Sequence, residues 1–264
     1  MDLKLRGKRA LVTGSTAGIG LAAAEVLARE GAAVVVNGRT DDRVRRAVEQ
    51  VTRAAPGADA RGVAADLGTA AGCRALTDAV PDVDVLVNNL GIFEPRAFQE
   101  ISDEDWLRMF EVNVMSGVRL TRHYLPGMKR RNWGRIVFVS SESAVQIPAE
   151  MIHYGMTKTA QVAIARGVAE TTTGTGVTVN SVLAGPTKSE GVATFVEQMA
   201  ASRGVGSAEM EREFFRTARP TSLLWRFITT DEVANLIAYL CGEGAAATNG
   251  AALRVDGGVV RAAL

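Results

Sequence analysis

The sequence predicts one doubly wound α/β domain, with about seven parallel strands and helices on both faces. Three observations predict it. Short β-branched runs alternate with longer amphipathic stretches along the whole chain. Those runs are apolar almost throughout, as strands covered on both faces must be. A glycine-rich turn joins the first run directly to the first amphipathic stretch.

The elements follow in order. Arg9–Thr13 (RALVT) reads as the first strand and Gly18–Glu30 as the helix behind it. Ala33–Asn37 is a second strand and Asp42–Ala54 a second helix, closed by a Pro56-Gly57 turn. Further strands are expected at Ala60–Ala64, Val83–Asn88, Arg135–Ser140, Val177–Val182 and Ala252–Val255. Ser102 with Asp105 resembles a capping pair ahead of a helix over Trp106–Val114, and a further helix spans Ser116–Lys129. Met151–Thr171 is a long helix ended by a Thr/Gly-rich stretch, and Thr229 with Glu232 forms a capping box for a helix to about Leu240. Right-handed crossovers then place helices on both faces of a parallel sheet. No repeat, linker or charge block divides residues 1–264, so one domain is expected.

Composition narrows the function classes. Of 264 residues, 47% are hydrophobic and 22% charged, which fits a globular chain and excludes a mostly disordered one. A net charge of +1 supplies no basic excess for nucleic acid or anionic lipid. No apolar run reaches the roughly 18 residues of a membrane span. The opening MDLKLRGKRALVTG lacks a signal-peptide core. Cys73 and Cys241 lie far apart and near no histidine cluster, so neither a disulfide nor a metal site is expected. A cytoplasmic location follows from these features.

The first strand runs into Thr13-Gly14-Ser15-Thr16-Ala17-Gly18-Ile19-Gly20. Such a turn brings bare backbone N–H groups and a helix N-terminus up to a pyrophosphate. After the second strand an NAD enzyme places a carboxylate for the ribose 2′-hydroxyl. Here the segment reads Asn37-Gly38-Arg39-Thr40, and Arg39 suits a 2′-phosphate. NADP(H) is therefore preferred, with NAD(H) as the alternative. Asp66 after the third strand and Asn88-Asn89-Leu90-Gly91 at the fourth add polar groups at the carboxyl edge of the sheet, where open α/β sheets bind ligands.

Tyr154-Gly155-Met156-Thr157-Lys158 opens the long helix, and positions four apart share a face. An ammonium beside the phenol favours phenolate and is expected to lower its pKa from about 10. A tuned phenol can protonate an alkoxide or deprotonate an alcohol. Ser140-Ser141-Glu142-Ser143 ends the fifth strand, and a hydroxyl there could hold a substrate carbonyl. Asn113 falls near a helix end.

Together these residues resemble the short-chain dehydrogenase/reductase superfamily, in its single-domain form and over essentially the whole chain. TGSTAGIG is similar to the family's cofactor turn, Asp66-Leu67 to its adenine-contacting site, and NNLG to its Asn-Asn-Ala-Gly motif. Asn113, Ser141, Tyr154 and Lys158 match the catalytic tetrad in order and spacing. Asn180 and the stretch Ala184-Gly185-Pro186-Thr187, with Ser189, match the strand and loop that receive nicotinamide, and Arg254–Gly258 resembles the C-terminal motif. The resemblance implies a Rossmann-like fold and an NADP(H)-binding oxidoreductase. Its cofactor contacts would be Gly14, Ser15, Thr16, Gly18, Ile19, Gly20, Arg39, Asp66, Leu67, Asn89, Gly91, Tyr154, Lys158, Gly185, Pro186, Thr187 and Ser189. Lys158 would bond the nicotinamide ribose, Ser141 would orient the substrate carbonyl, and Asn113 would hold a helix kink and a water reaching Lys158. Leu90, Ala184 and Ser189 depart from the usual Ala, Pro and Thr.

The segment at about 189–224 falls at the family's substrate lid and carries Phe195, Met199, Phe214, Phe215, Leu223 and Leu224. Glu142 and Gln146 could line the mouth, with a solvated loop as the alternative, and His153 is expected as a partly exposed helix-start residue. The resemblance implies a homodimer or homotetramer. The partner is a small carbonyl or alcohol. A 3-oxoacyl-thioester reductase, for which Arg96, Arg130 and Arg131 would supply a basic patch, stands beside a polyol or small-ketone dehydrogenase. A non-catalytic NADP(H)-sensing regulator is the alternative from another class.

Overall fold

The structure is a computed structural model, and it describes residues 2–192, 197, 200, 204 and 206–263. Seven parallel strands form one sheet in the order β3-β2-β1-β4-β5-β6-β7. They are β1 (Arg9–Val12), β2 (Ala33–Gly38), β3 (Ala60–Ala64), β4 (Val85–Asn88), β5 (Gly134–Ser141), β6 (Val177–Ala184) and β7 (Ala252–Val255). The helices between them are α1 (Gly18–Arg29), α2 (Asp41–Ala54), α3 (Ala70–Ala79), α4 (Asp103–Phe110), α5 (Ser116–Arg130), α6 (Ile152–Glu170), α7 (Ser207–Thr217) and α8 (Thr230–Cys241).

Strand alternation sorts the core into two layers. Val12, Val34, Val36, Val85, Val87, Val137 and Val139 pack with α1, α2 and α8. Leu11, Val35, Leu86, Ile136 and Phe138 face the other way, with Leu76 of α3, Leu120 and Tyr124 of α5 and Ala165 of α6. Most of these side chains are fully buried, and each contributes about 1.5–3 kcal/mol by leaving water. With aromatics at 5% of the chain, valine and alanine carry this packing and let helices lie close to the sheet.

The capping expectations hold. Ser102 accepts a bond from Asp105 N, and Thr229 and Glu232 form a reciprocal capping box. Helix α3 is an element the sequence patterning does not single out, because only Cys73 and Leu76 of its ten residues are buried. The helix expected through Val114 ends at Phe110 and continues as a π-helical turn over Glu111–Met115 before α5. Strand β5 reaches Ser141 and β6 reaches Ala184, beyond the expected ends, because the two pair residue by residue to Ser141↔Ala184.

The strand order reverses between β1 and β4. Ligands of open α/β sheets bind outside the carboxyl ends of the strands at such a point. The glycine-rich turn follows β1, and Asn89–Gly91 follows β4.

Candidate active site

The turn after β1 is braced from three strands. Gly14 sits at φ 58° and Gly18 at φ 59°, backbone conformations that favour glycine. Asn37 of β2 accepts a bond from Gly14 N (3.2 Å) and donates to the carbonyls of Val63 and Ala65 (3.2 Å each). Asn89 after β4 donates to Thr13 O (2.9 Å) and Gly14 O (3.1 Å). A Cβ at Gly20 would lie 2.4 Å from that Asn89 amide, so glycine permits the tie.

Several expected cofactor contacts also bond within the protein. Ser15 is fully buried; its hydroxyl donates to Val12 O (2.6 Å) and accepts from Asn37 N (3.0 Å), and its own N–H bonds Asn37 O (2.9 Å). It holds the turn through its hydroxyl and its N–H. Leu67 is buried in the core, so its side chain does not face the crevice. Asn180 joins β6 to the chain before β7, donating to Thr248 O (2.7 Å) and accepting from Ala251 N (3.0 Å). Thr187 bonds back to Gly185 O (2.9 Å), and Ser189 accepts from Val192 N (3.4 Å).

Other expected contacts remain open. Thr16 is half-buried against Gly38, and Ile19 and Pro186 are half-buried. Arg39 stands exposed just past β2, with no hydrogen bond or ion pair among the described residues. Asp66 is exposed after β3 and accepts from Gly68 N (3.1 Å). Gly185 packs so closely on Asp256 that a Cβ there would lie 2.6 Å from its main chain.

Residues Asn113, Ser141, Tyr154 and Lys158 come together at the carboxyl end of β5. Lys158 is buried, its ammonium 5.5 Å from the Tyr154 ring centroid. It donates to Val139 O (3.0 Å) and Gln161 Oε1 (3.1 Å). Gln161 in turn donates to Asn113 O (2.6 Å), which the π-helical turn presents toward α6. Gln161 thus bridges the Asn113 carbonyl and the Lys158 ammonium. The Asn113 side chain accepts from Ile92 N (2.8 Å) and donates to Thr157 Oγ1 (3.0 Å). Gly91 lies beside Lys158 and Asn113: a Cβ there would stand at ordinary contact distance from Lys158 Nζ, 3.5 Å, and Asn113 Oδ1, 3.6 Å.

Ser140 donates to Lys158 O (2.9 Å) and braces α6, which leaves Ser141 as the serine of the site. Ser141 Oγ accepts from Ser143 N (3.1 Å) and donates to the Glu142 carboxylate. Glu142 is buried, against the solvated-loop alternative, while Gln146 is exposed and reaches Thr221 (3.4 Å). Glu142 pairs with buried Arg219 (2.9 Å).

Charge behaves differently from the expectation at Tyr154. Burial, with the Glu142 carboxylate adding repulsion, pushes the phenol above its ordinary range and outweighs the Ser141 hydrogen bond and the Arg219 charge. Burial also pulls Lys158 down to about 8, against the pull of Glu142. His153 corrects a second expectation. It is 1% exposed, because Trp106 of α4 covers it at 5.8 Å between ring centroids.

The lid aromatics mostly pack on each other. Phe214, Phe215 and Phe227 form a cluster at 5.0–5.2 Å with Met210 and Ala200 beside it. Leu223 and Leu224 are exposed over Gly257 and Gly258. Phe195 and Met199 lie outside the described residues.

Gln161 and Arg219 escape the sequence reading. Gln161 lies seven residues after Tyr154, on the face shared with Lys158, and that periodicity is the signal that could find it. Arg219 stands 77 residues from Glu142, so no local pattern links them.

The family profile described as short chain dehydrogenase matches residues 8–200. The chain belongs to the short-chain dehydrogenase family. It is an oxidoreductase of that family, acting on CH–OH or C=O groups. An uncharacterized oxidoreductase of Bacillus subtilis, YvaG, is 48% identical over 261 residues, 99% of each chain. The D-beta-hydroxybutyrate dehydrogenase of Cupriavidus necator is 35% identical over 97% of this short-chain dehydrogenase and 99% of its own length. Among solved structures, L-sorbose reductase from Gluconobacter frateurii, complexed with NADPH and L-sorbose, superposes with a TM-score of 0.93 at 31% identity, covering 99% of this chain and 100% of that one.

Proposed function

We propose that this chain transfers a hydride between NADP(H) and the carbon of a small ketone or secondary alcohol, with Tyr154 as acid/base. One observation carries the reading: Ser141, Tyr154 and Lys158, with Asn113 behind them, meet at the sheet's carboxyl edge beside a glycine turn suited to a pyrophosphate. The donor set fits a phosphorylated dinucleotide. Bare glycines lead into the N-terminus of α1, and the exposed Arg39 just past β2, without a partner among the described residues, suits a 2′-phosphate.

The nicotinamide, when bound, supplies the hydride. The protein supplies geometry and the proton. Tyr154, held above the ordinary phenol range, keeps its proton at neutral pH and can deliver it to an alkoxide. Lys158 spends two N–H groups on Val139 and Gln161 and keeps a third for a ribose hydroxyl. Gln161, Asn113 and Thr157 hold that ammonium in place.

A small substrate is favoured over one on an acidic carrier. Arg96 is already paired with Glu94 and Asp105, and Arg131 with Asp82. Arg130 and Arg131 also close α5 just before β5 begins, at the sheet edge opposite the site. The likeness to L-sorbose reductase supports the same preference. NADPH oxidation across a panel of small ketones, keto-sugars and 3-oxoacyl thioesters tests the reading. Turnover on a small ketone or keto-sugar is expected. Tight NADPH binding without turnover on any of them would favour the sensing regulator.

A further inference from the structure

A glutamate next to the site serine is an expensive residue to bury. Glu142 is 4% exposed and Arg219 7%. A pair of this kind is weak evidence for stability, because apolar residues of similar volume often serve as well or better. Its presence beside the site calls for another reason, and the bonding supplies one.

Arg219 holds two points of the same loop. Its Nε donates to Glu142 (2.9 Å), directly after Ser141. Its Nη1 donates to Glu150 (3.1 Å), four residues before Tyr154. One guanidinium therefore clasps both ends of the connection between the site serine and the site tyrosine. Glu142 in turn accepts a hydrogen bond from the Ser141 hydroxyl, while Ser143 N donates to Ser141 Oγ, so the hydroxyl is oriented from both sides. The guanidinium comes from the segment just after α7, whose Phe214 and Phe215 pack with Phe227.

We propose that Arg219 and Glu142 are positioning residues that set Ser141 against Tyr154, so that seating of the segment after α7 completes the site. The proposal rests on the reading of Ser141 and Tyr154 given above. The charged groups facing Tyr154 are Glu142 and Arg219 across the loop and Lys158 on its own helix. Glu142 holds the phenol's proton on, so removing its charge must move the ascending, acid-side limb of alcohol oxidation to lower pH.

The test uses the full chain and four variants. Glu142→Met/Arg219→Met replaces the ion pair by apolar volume and is expected to stay folded. Turnover should fall about 10- to 100-fold, the size of one charge-assisted hydrogen bond, with NADPH affinity within about twofold of the parent. Arg219→Lys should recover part of that loss. Parent-like turnover in a folded double variant overturns the proposal. If the double variant does not fold, Glu142→Gln decides: a fall in turnover with the oxidation limb shifted to lower pH supports the proposal, and an unchanged rate and limb overturn it. Tyr154→Phe separates the two levels. Parent-like turnover in Tyr154→Phe defeats the functional reading itself, whereas an inactive Tyr154→Phe beside a parent-like Glu142→Gln defeats only this inference.

Discussion

Replacing Gly20 with alanine puts a methyl group into the brace of the cofactor turn. The added Cβ lies 2.4 Å from Asn89 Nδ2, 2.6 Å from Gly14 O and 3.0 Å from Ser15 Cα. Carbon contacts need about 3.5 Å, so the amide and the Gly14 peptide must each retreat by roughly 1 Å. That retreat breaks the bonds from Asn89 to Thr13 O and Gly14 O, now 2.9 and 3.1 Å. Each is worth about 1 kcal/mol net, and overpacking adds about 1–3 kcal/mol, so a loss near 3–5 kcal/mol is expected. At about 2–4 °C per kcal/mol, Tm falls by roughly 10 °C. NADPH affinity should fall as well, because Gly14 belongs to the displaced turn. Gly167→Ala is the matched comparison: nothing lies within 4 Å of its Cβ, and a helical position gains up to about 1 kcal/mol from alanine. Urea unfolding and calorimetric NADPH titration read both effects. A Gly20→Ala chain as stable as the parent, with unchanged NADPH affinity, would refute the reasoning.

Two further outcomes are expected. Arg39→Ala should weaken NADPH about 10-fold or more while leaving NADH nearly unchanged, since only the 2′-phosphate meets the guanidinium; equal losses for both nucleotides would remove Arg39 from the cofactor site. Lys158, pulled to about 8 from 10.5 by burial, binds its proton less readily folded than unfolded. Its cost to stability is full below pH 8 and is relieved as pH rises toward 10.5. Lys158→Met should therefore exceed the parent in stability by roughly 3 kcal/mol more at pH 7 than at pH 10.5; denaturant titrations showing a pH-independent difference would contradict the burial argument.

Much of this architecture is legible in the chain. The central strands announce themselves because they are apolar on both faces, whereas the edge strands β3 and β7 are part exposed, and the Thr229–Glu232 box marks its helix start through a local bond. The grouping of these side chains is legible because Tyr154 and Lys158 lie one helical turn apart and Ser141 ends a strand. What is not legible depends on long-range contact. Desolvation of the half-buried Tyr154 and a carboxylate at Glu142 push its pKa opposite to the direction that the Tyr–Lys spacing alone suggests. His153 is covered by Trp106, 47 positions earlier in the chain, and Arg219 reaches the site from 77 residues beyond Glu142. The bond by which Ser15 ties the turn to β2 is invisible until β2 is placed beside it.

Hydride transfer by Tyr154→Phe tests the central claim most directly. A stopped-flow measurement of NADPH oxidation with saturating ketone, beside a binding titration of NADPH, separates chemistry from affinity. Loss of the phenolic proton should slow turnover at least about 100-fold, as a general acid contributes about 10²–10⁴, and leave NADPH affinity within about twofold. A Tyr154→Phe chain that reduces the ketone at the parent rate would contradict the account.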